Sequence, residues 1–181
     1  MKLVFATHNK NKFAEVKAML PHDIELLSLT DIGCNEDIPE TAETIDGNAI
    51  LKANYVRQKY NLNCFADDTG LEVKSLNNEP GVYSARYAGP SNDAEANMEK
   101  LLKNLERKDD RSARFKTAIA LNMEHKEIMF LGICEGEITE KPRGHAGFGY
   151  DPIFQPKGFD KTFAEMTLTQ KSEIGHRGKA M

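Results

Sequence analysis

Cys64-Phe65-Ala66-Asp67-Asp68-Thr69-Gly70-Leu71-Glu72-Val73 leads from apolar residues into two adjacent carboxylates and out through a Thr-Gly step. The apolar lead predicts a buried strand that stops at a polar edge. Side chains alternate faces along a strand, so Asp67 and Asp68 cannot point the same way while it lasts. One can face a cleft while the other anchors a turn at Gly70, a residue that tolerates a sharp change of direction. A carboxylate at a strand end, its oxygens open to a hard cation, is an ingredient of Mg2+-dependent phosphate chemistry. An Asx-type turn between two strands accounts for the same dipeptide.

Upstream of this stretch, Lys2 to Ala6 reads as a first strand. It is broken by Thr7-His8-Asn9-Lys10-Asn11-Lys12, after which Phe13, Val16 and Leu20 recur at helical spacing until Pro21. A helix N-terminus favours anions, and Lys10 and Lys12 add charge there; a solvated cap with Asn as N-cap fits the composition equally well. The glycines and G-K-[ST] ending of a Walker loop are absent. Ile24 to Leu29 predicts a second strand, and Thr30 to Glu40 an irregular acidic segment. Ile45, Ala49, Ala53, Val56 and Tyr60 form one helical stripe. Asn48, Lys52 and Arg57 read as solvated positions off that stripe, unless Asn48 or Lys52 faces a cleft. Glu40, just before this helix, is one candidate metal ligand among several acids.

Downstream, Glu79-Pro80-Gly81 predicts a turn, and Arg86 lies between Tyr83 and Tyr87. Ala94, Met98, Leu101, Leu102 and Leu105 mark a third helix capped by Asp93 or Ser91. Alternation from Phe115 to Met123, resumed from Ile128 to Cys134, predicts two long antiparallel strands joined by a short turn that carries a solvated His125. Gly144-His145-Ala146-Gly147-Phe148-Gly149-Tyr150-Asp151-Pro152 has two readings: a plain Gly-rich turn, or a loop that stacks a nucleobase on Phe148 or Tyr150 while its N–H groups and Asp151 read the base edge. Its spacing is not that of a dinucleotide fingerprint. Thr167-Leu168-Thr169-Gln170 has capping-box form. Lys171 and Arg177 reach one anion only if the helix breaks at Gly175.

The totals narrow the class. A chain of 181 residues fits one domain, in one or two lobes, with a sizeable core. Hydrophobic residues at 40% and charged residues at 29% describe an ordinary soluble protein. No apolar run reaches membrane-spanning length, and the start is too short and too soon polar for a signal peptide. Cys34, Cys64 and Cys134 are odd in number and far apart, which argues for a reducing compartment, the cytoplasm by default. A net charge of −4 argues against wholesale nucleic-acid binding.

Taken together, these stretches resemble the inosine triphosphate pyrophosphatase family, hydrolases that clear deaminated purine nucleotides. The resemblance covers nearly the whole chain and runs in order. It takes in Thr7 to Lys12, Glu40-Thr41, Asn48 to Ala53, Ala66 to Leu71, Pro80 to Tyr87, Gly147 to Pro152, Lys171-Ser172 and Gly175-His176-Arg177-Gly178. Each motif is weak alone; their joint order is specific. One departure is Gly175, where the family pattern has Ser.

The resemblance implies an α/β fold: a long twisted mixed sheet flanked by helices, two lobes with a central cleft, and one pyrophosphatase domain over residues 1–181. It implies a homodimer and Mg2+-dependent hydrolysis of ITP, dITP and XTP to the monophosphate and pyrophosphate. Asp68 takes the part of proton acceptor and metal ligand, and Glu40 that of the second metal carboxylate. Thr7, His8, Asn9, Lys10, Asn11 and Lys12 match the phosphate loop, and Thr69 matches a substrate contact. Phe148, Gly149, Tyr150, Asp151, Lys171, His176 and Arg177 match the residues around base and phosphates. A haloacid-dehalogenase-type phosphatase would need a D-x-D strand end, which is absent. A module that binds nucleotide without turnover has no use for carboxylates beside a triphosphate, where they repel the ligand unless a metal intervenes.

Overall fold

β1 (Lys2–Phe5) is sheathed on both edges: it pairs in parallel with β2 (Glu25–Leu27), Lys2 opposite Glu25, and with β3 (Cys64–Val73), Phe5 opposite Phe65. In this computed structural model, which describes residues 1–124 and 126–181, the strand order is β2-β1-β3-β5-β6-β7, with β4 on β3. β4 is Glu79–Gly81, β5 Ser112–Met123, β6 Lys126–Ile138 and β7 Phe154–Pro156. Parallel pairs at β1 and antiparallel pairs at β3–β4 and β6–β7 make the sheet mixed. The helices are α1 (Lys10–Met19), α2 (Ile45–Tyr60), α3 (Ala94–Leu105), α4 (Leu168–Ile174) and α5 (His176–Ala180). His125, expected at the β5–β6 turn, lies outside the described residues.

The chain divides into two compact units. The first comprises Met1–Asp68, Thr117–Leu131 and Ala180–Met181; the second comprises Thr69–Lys116 and Gly132–Lys179. The first is cored by Leu3, Phe5, Val16, Phe65 and Ile119, with Phe5 and Phe65 stacked at 4.6 Å between centroids. That stack follows from the register, because directly opposed residues share a face. The second unit is cored by Leu71, Leu101, Leu105, Phe115, Phe154 and Phe163. Burying each such side chain contributes about 1.5–3 kcal/mol.

Three expectations change. β3 does not stop at its carboxylates but runs unbroken to Val73, Gly70 included. Lys12 Nζ lies 2.9 Å from Asp67 and Lys52 Nζ 3.5 Å from Asp68, so both charges are accommodated within the strand. Glu79-Pro80-Gly81 is not a turn but a short strand on β3; left-handed Asn77 and Asn78 make the turn before it. The second strand is only three residues long, because Asp31 accepts from Ser28 N–H and Oγ–H and pulls the chain into a bend. The alternation from Phe115 to Cys134 does give two long strands, neighbours in the sheet.

Candidate active site

In the first unit the polar loop after β1 braces itself. Thr7 Oγ1 accepts from Asn9 N–H at 3.1 Å, and Asn9 Oδ1 accepts from the N–H groups of Asn11 (3.0 Å) and Lys12 (3.1 Å). Asn9 is therefore the N-cap of α1, and two of the helix's leading N–H groups are already satisfied. The reading of an Asn N-cap holds at Asn9. His8, Lys10 and Asn11 are exposed; His8 Nε2 lies 3.1 Å from the Glu36 carbonyl oxygen. Lys12 turns inward and donates to Asp67 Oδ1 at 2.9 Å.

α2 supplies the rest of this cluster. Thr44 caps it by accepting from Gly47 N–H, and its buried face is Ile45, Asn48, Ala49, Lys52, Ala53 and Val56. Those positions are spaced three and four apart, so Asn48 and Lys52 lie within the apolar stripe. Of the two readings left open for them, solvated or facing a cleft, burial excludes the first. Lys52 Nζ donates to Glu40 Oε1 at 2.5 Å and to Asp68 Oδ1 at 3.5 Å, bringing together two acids 28 positions apart. Asn48 Nδ2 lies 3.4 Å from Asp68 Oδ2. Burial is the largest influence on Asp68 and raises its carboxyl above the ordinary carboxylate range; Lys52 and Lys12 oppose this, while Glu40 and Asp67 reinforce it. At Lys52 burial works against the charge, but Asp68, Glu40 and Asp67 together outweigh it and hold the ammonium more firmly than usual.

The second unit gathers a different set. Asp151 is buried, and its Oδ2 accepts from Phe148 N–H at 2.9 Å and from Lys171 Nζ at 2.6 Å. Gly147 has φ +73°, and a Cβ there would lie 2.0 Å from that oxygen, so only glycine fits. Phe148 is half-buried, with Lys171 Nζ 4.9 Å and the Arg177 guanidinium 5.9 Å from its ring centroid. Arg177 Nη2 also donates to Thr69 Oγ1 at 3.3 Å. α4 begins at the expected Thr167–Gln170 capping box and ends at Gly175, after which α5 starts. That break brings Lys171 and Arg177 to one ring. A Cβ at position 175 would meet the Lys171 carbonyl oxygen at 2.5 Å, so glycine closes this helix end more tightly than the expected Ser could.

Two predicted contacts are packed inside the second unit. Tyr150 is packed in the core with its hydroxyl donating to the Ser84 carbonyl, so it offers no open stacking face. His176 is buried with its ring stacked on Phe115 at 4.5 Å. Gly149, at φ +62°, sits in the loop beside Phe148. Lys52, Asn48 and Asp67 join the first unit's cluster without having been among the predicted site residues. The signal for the first two was the i, i+3, i+4, i+7 spacing from Ile45, which makes them polar residues on a buried face.

The family model for the Ham1 family matches residues 3–181. Over 181 residues the chain is 66% identical to a dITP/XTP pyrophosphatase of Flavobacterium johnsoniae, covering 100% of this chain and 94% of that one. It is 46% identical over 182 residues to the dITP/XTP pyrophosphatase of Bacillus subtilis, covering 98% and 92% of the two chains. The Ham1 protein of Staphylococcus aureus superposes with a TM-score of 0.90 at 40% identity, covering 99% of this chain and 94% of that one. With its motifs in order, its acids paired and its fold shared along its length, the chain belongs to the Ham1 family, the inosine triphosphate pyrophosphatases.

Proposed function

We propose that this protein hydrolyses the deaminated purine nucleoside triphosphates dITP, ITP and XTP between the α and β phosphates, releasing the monophosphate and pyrophosphate. The observation that carries this reading is the convergence of Glu40 and Asp68 on one ammonium group, in a chain 66% identical throughout to a dITP/XTP pyrophosphatase.

The first unit's donors suit Mg2+. Asp67, Asp68 and Glu40 set three carboxylates against the ammonium groups of Lys12 and Lys52, an excess of one negative charge that favours a cation. Among the described residues no group of three or more His, Cys, Asp or Glu side chains is placed to hold a metal. Mg2+ is commonly held by one or two carboxylates completed by substrate phosphates. Glu40 and Asp68 would hold it, and when bound it would neutralise charge on the phosphate oxygens.

Asp68 orients the attacking water and takes its proton, a task suited to a carboxyl whose pKa is raised. Asp67 holds Lys12, which with Lys10 balances the charge of the departing pyrophosphate. In the second unit, Phe148 offers its ring to the base, with Lys171 and Arg177 beside it. Donors at that edge satisfy a 6-oxo group and would be left facing donors by a 6-amino group, a mismatch that discriminates strongly. Met129, Phe130 and Leu131, three successive exposed apolar residues on β6, support a homodimer. Three buried free thiols support a cytoplasmic setting. Hydrolysis of dITP in 18O-water tests the reaction: the label is expected in the monophosphate, and label in pyrophosphate or orthophosphate would exclude attack at the α phosphorus.

A further inference from the structure

We infer that Asn48 is a positioning residue, which fixes the Glu40 segment against Asp68 so that the two carboxylates are preset for a divalent cation. The inference rests on the reading of Glu40 and Asp68 given above. Asn48 has no exposed surface. Its amide is engaged at both ends: Oδ1 accepts from Ala42 N–H at 2.9 Å, two residues beyond Glu40, and Nδ2 donates to Asp68 Oδ2 at 3.4 Å. Reversing the amide would set an N–H against an N–H and an oxygen against a carboxylate, so the surroundings fix its orientation.

Gly47 supports the same contact. A Cβ there would lie 2.8 Å from Ala42 Cβ, so the missing side chain is what lets the segment after Glu40 approach α2. One helical turn on, Lys52 joins the same acids by charge, at 2.5 Å and 3.5 Å. α2 thus presents two ties between Glu40 and Asp68. The lysine tie is ionic, and an arriving cation competes with it. The asparagine tie is neutral and engages Asp68 through Oδ2, the oxygen not facing Lys52. It persists when the ionic tie is exchanged, so it keeps the two carboxylates in register.

Partners of this kind typically change metal affinity or activity about 10- to 100-fold when removed. The experiment is Mn2+ binding to Asn48→Leu by electron paramagnetic resonance, without nucleotide, beside kcat and KM on dITP. Mn2+ affinity and kcat are both expected to fall about 10- to 100-fold, with KM changing less than kcat. A folded Asn48→Leu that binds Mn2+ as the wild type does would overturn the inference. Should that variant not fold, the side-chain amide resonances of Asn48 in the wild type decide. They are expected to shift as Mg2+ is added and to stay fixed in Asp68→Asn; no shift at saturating Mg2+ overturns the role. Loss of the role with dITP hydrolysis intact in Asn48→Leu leaves the proposed reaction standing. A wild type inactive on every nucleotide removes that reaction, while the Mn2+ and amide readouts still judge Asn48.

Discussion

Lys12 Nζ donates to Asp67 Oδ1 across 2.9 Å, tying the first turn of α1 to the middle of β3. The carboxylate is buried and the ammonium nearly so, which makes the contact worth more than a surface pair. Asp67→Asn keeps the shape and removes the charge. It is expected to lower stability by about 1.5–3 kcal/mol in urea unfolding and to raise KM for dITP more than it lowers kcat. An unchanged KM would mean that Lys12 does not need Asp67 to meet the phosphates.

Gly147→Ala places a Cβ at φ +73° and 2.0 Å from Asp151 Oδ2. The backbone strain alone is about 1–3 kcal/mol, and the displaced carboxylate loses its bonds from Phe148 N–H and Lys171. Thermal unfolding should shift downward, and the preference for dITP over dATP should narrow. Wild-type unfolding in this variant would show that the loop relaxes without cost.

Lys171 and Asp151 form a buried pair at 2.6 Å. Lys171→Met strands the carboxylate and is expected to cost about 3–5 kcal/mol. Adding Asp151→Asn should recover part of that loss, because no buried charge is left unmatched. A strictly additive double variant would contradict the coupling.

The raised pKa of Asp68 fixes a sign. Its folded value lies above the unfolded 3.8, so the folded state binds the proton more tightly. The ionised group opposes folding at neutral pH, and that penalty fades as pH falls through the folded pKa. Asp68→Asn should abolish turnover while unfolding at a temperature equal to or above the wild type at pH 7, the difference closing towards pH 4. A large loss of stability at pH 7 would show that the charged form is favoured by its lysine neighbours.

The local chemistry of the chain was legible wherever one residue decides the outcome. Asn9, Asp93 and Thr167 cap the helices their spacing suggests, and Gly175 divides α4 from α5. What sequence hid was pairing at a distance. β3 reads as stopping at Asp67 and Asp68 because the lysine that meets each charge lies in a helix distant in sequence. Asn48 and Lys52 read as solvated unless they faced a cleft, because polarity was weighed above periodicity, although their spacing from Ile45 places them on the buried face. Tyr150 and His176 look open in a Gly- and Arg-rich context, yet Ser84 and Phe115, more than 60 residues earlier, draw them into the core.

The acids around Lys52 are proposed to serve metal-dependent hydrolysis of deaminated purine triphosphates. The most direct measurement is pyrophosphate release from dITP, XTP, ITP, ATP and GTP, each with Mg2+ and with EDTA. Release is expected from dITP, XTP and ITP, with at least tenfold slower release from ATP (about 1.4 kcal/mol of discrimination or more), and none in EDTA. Equal rates on all five, or rates unchanged by EDTA, would contradict it.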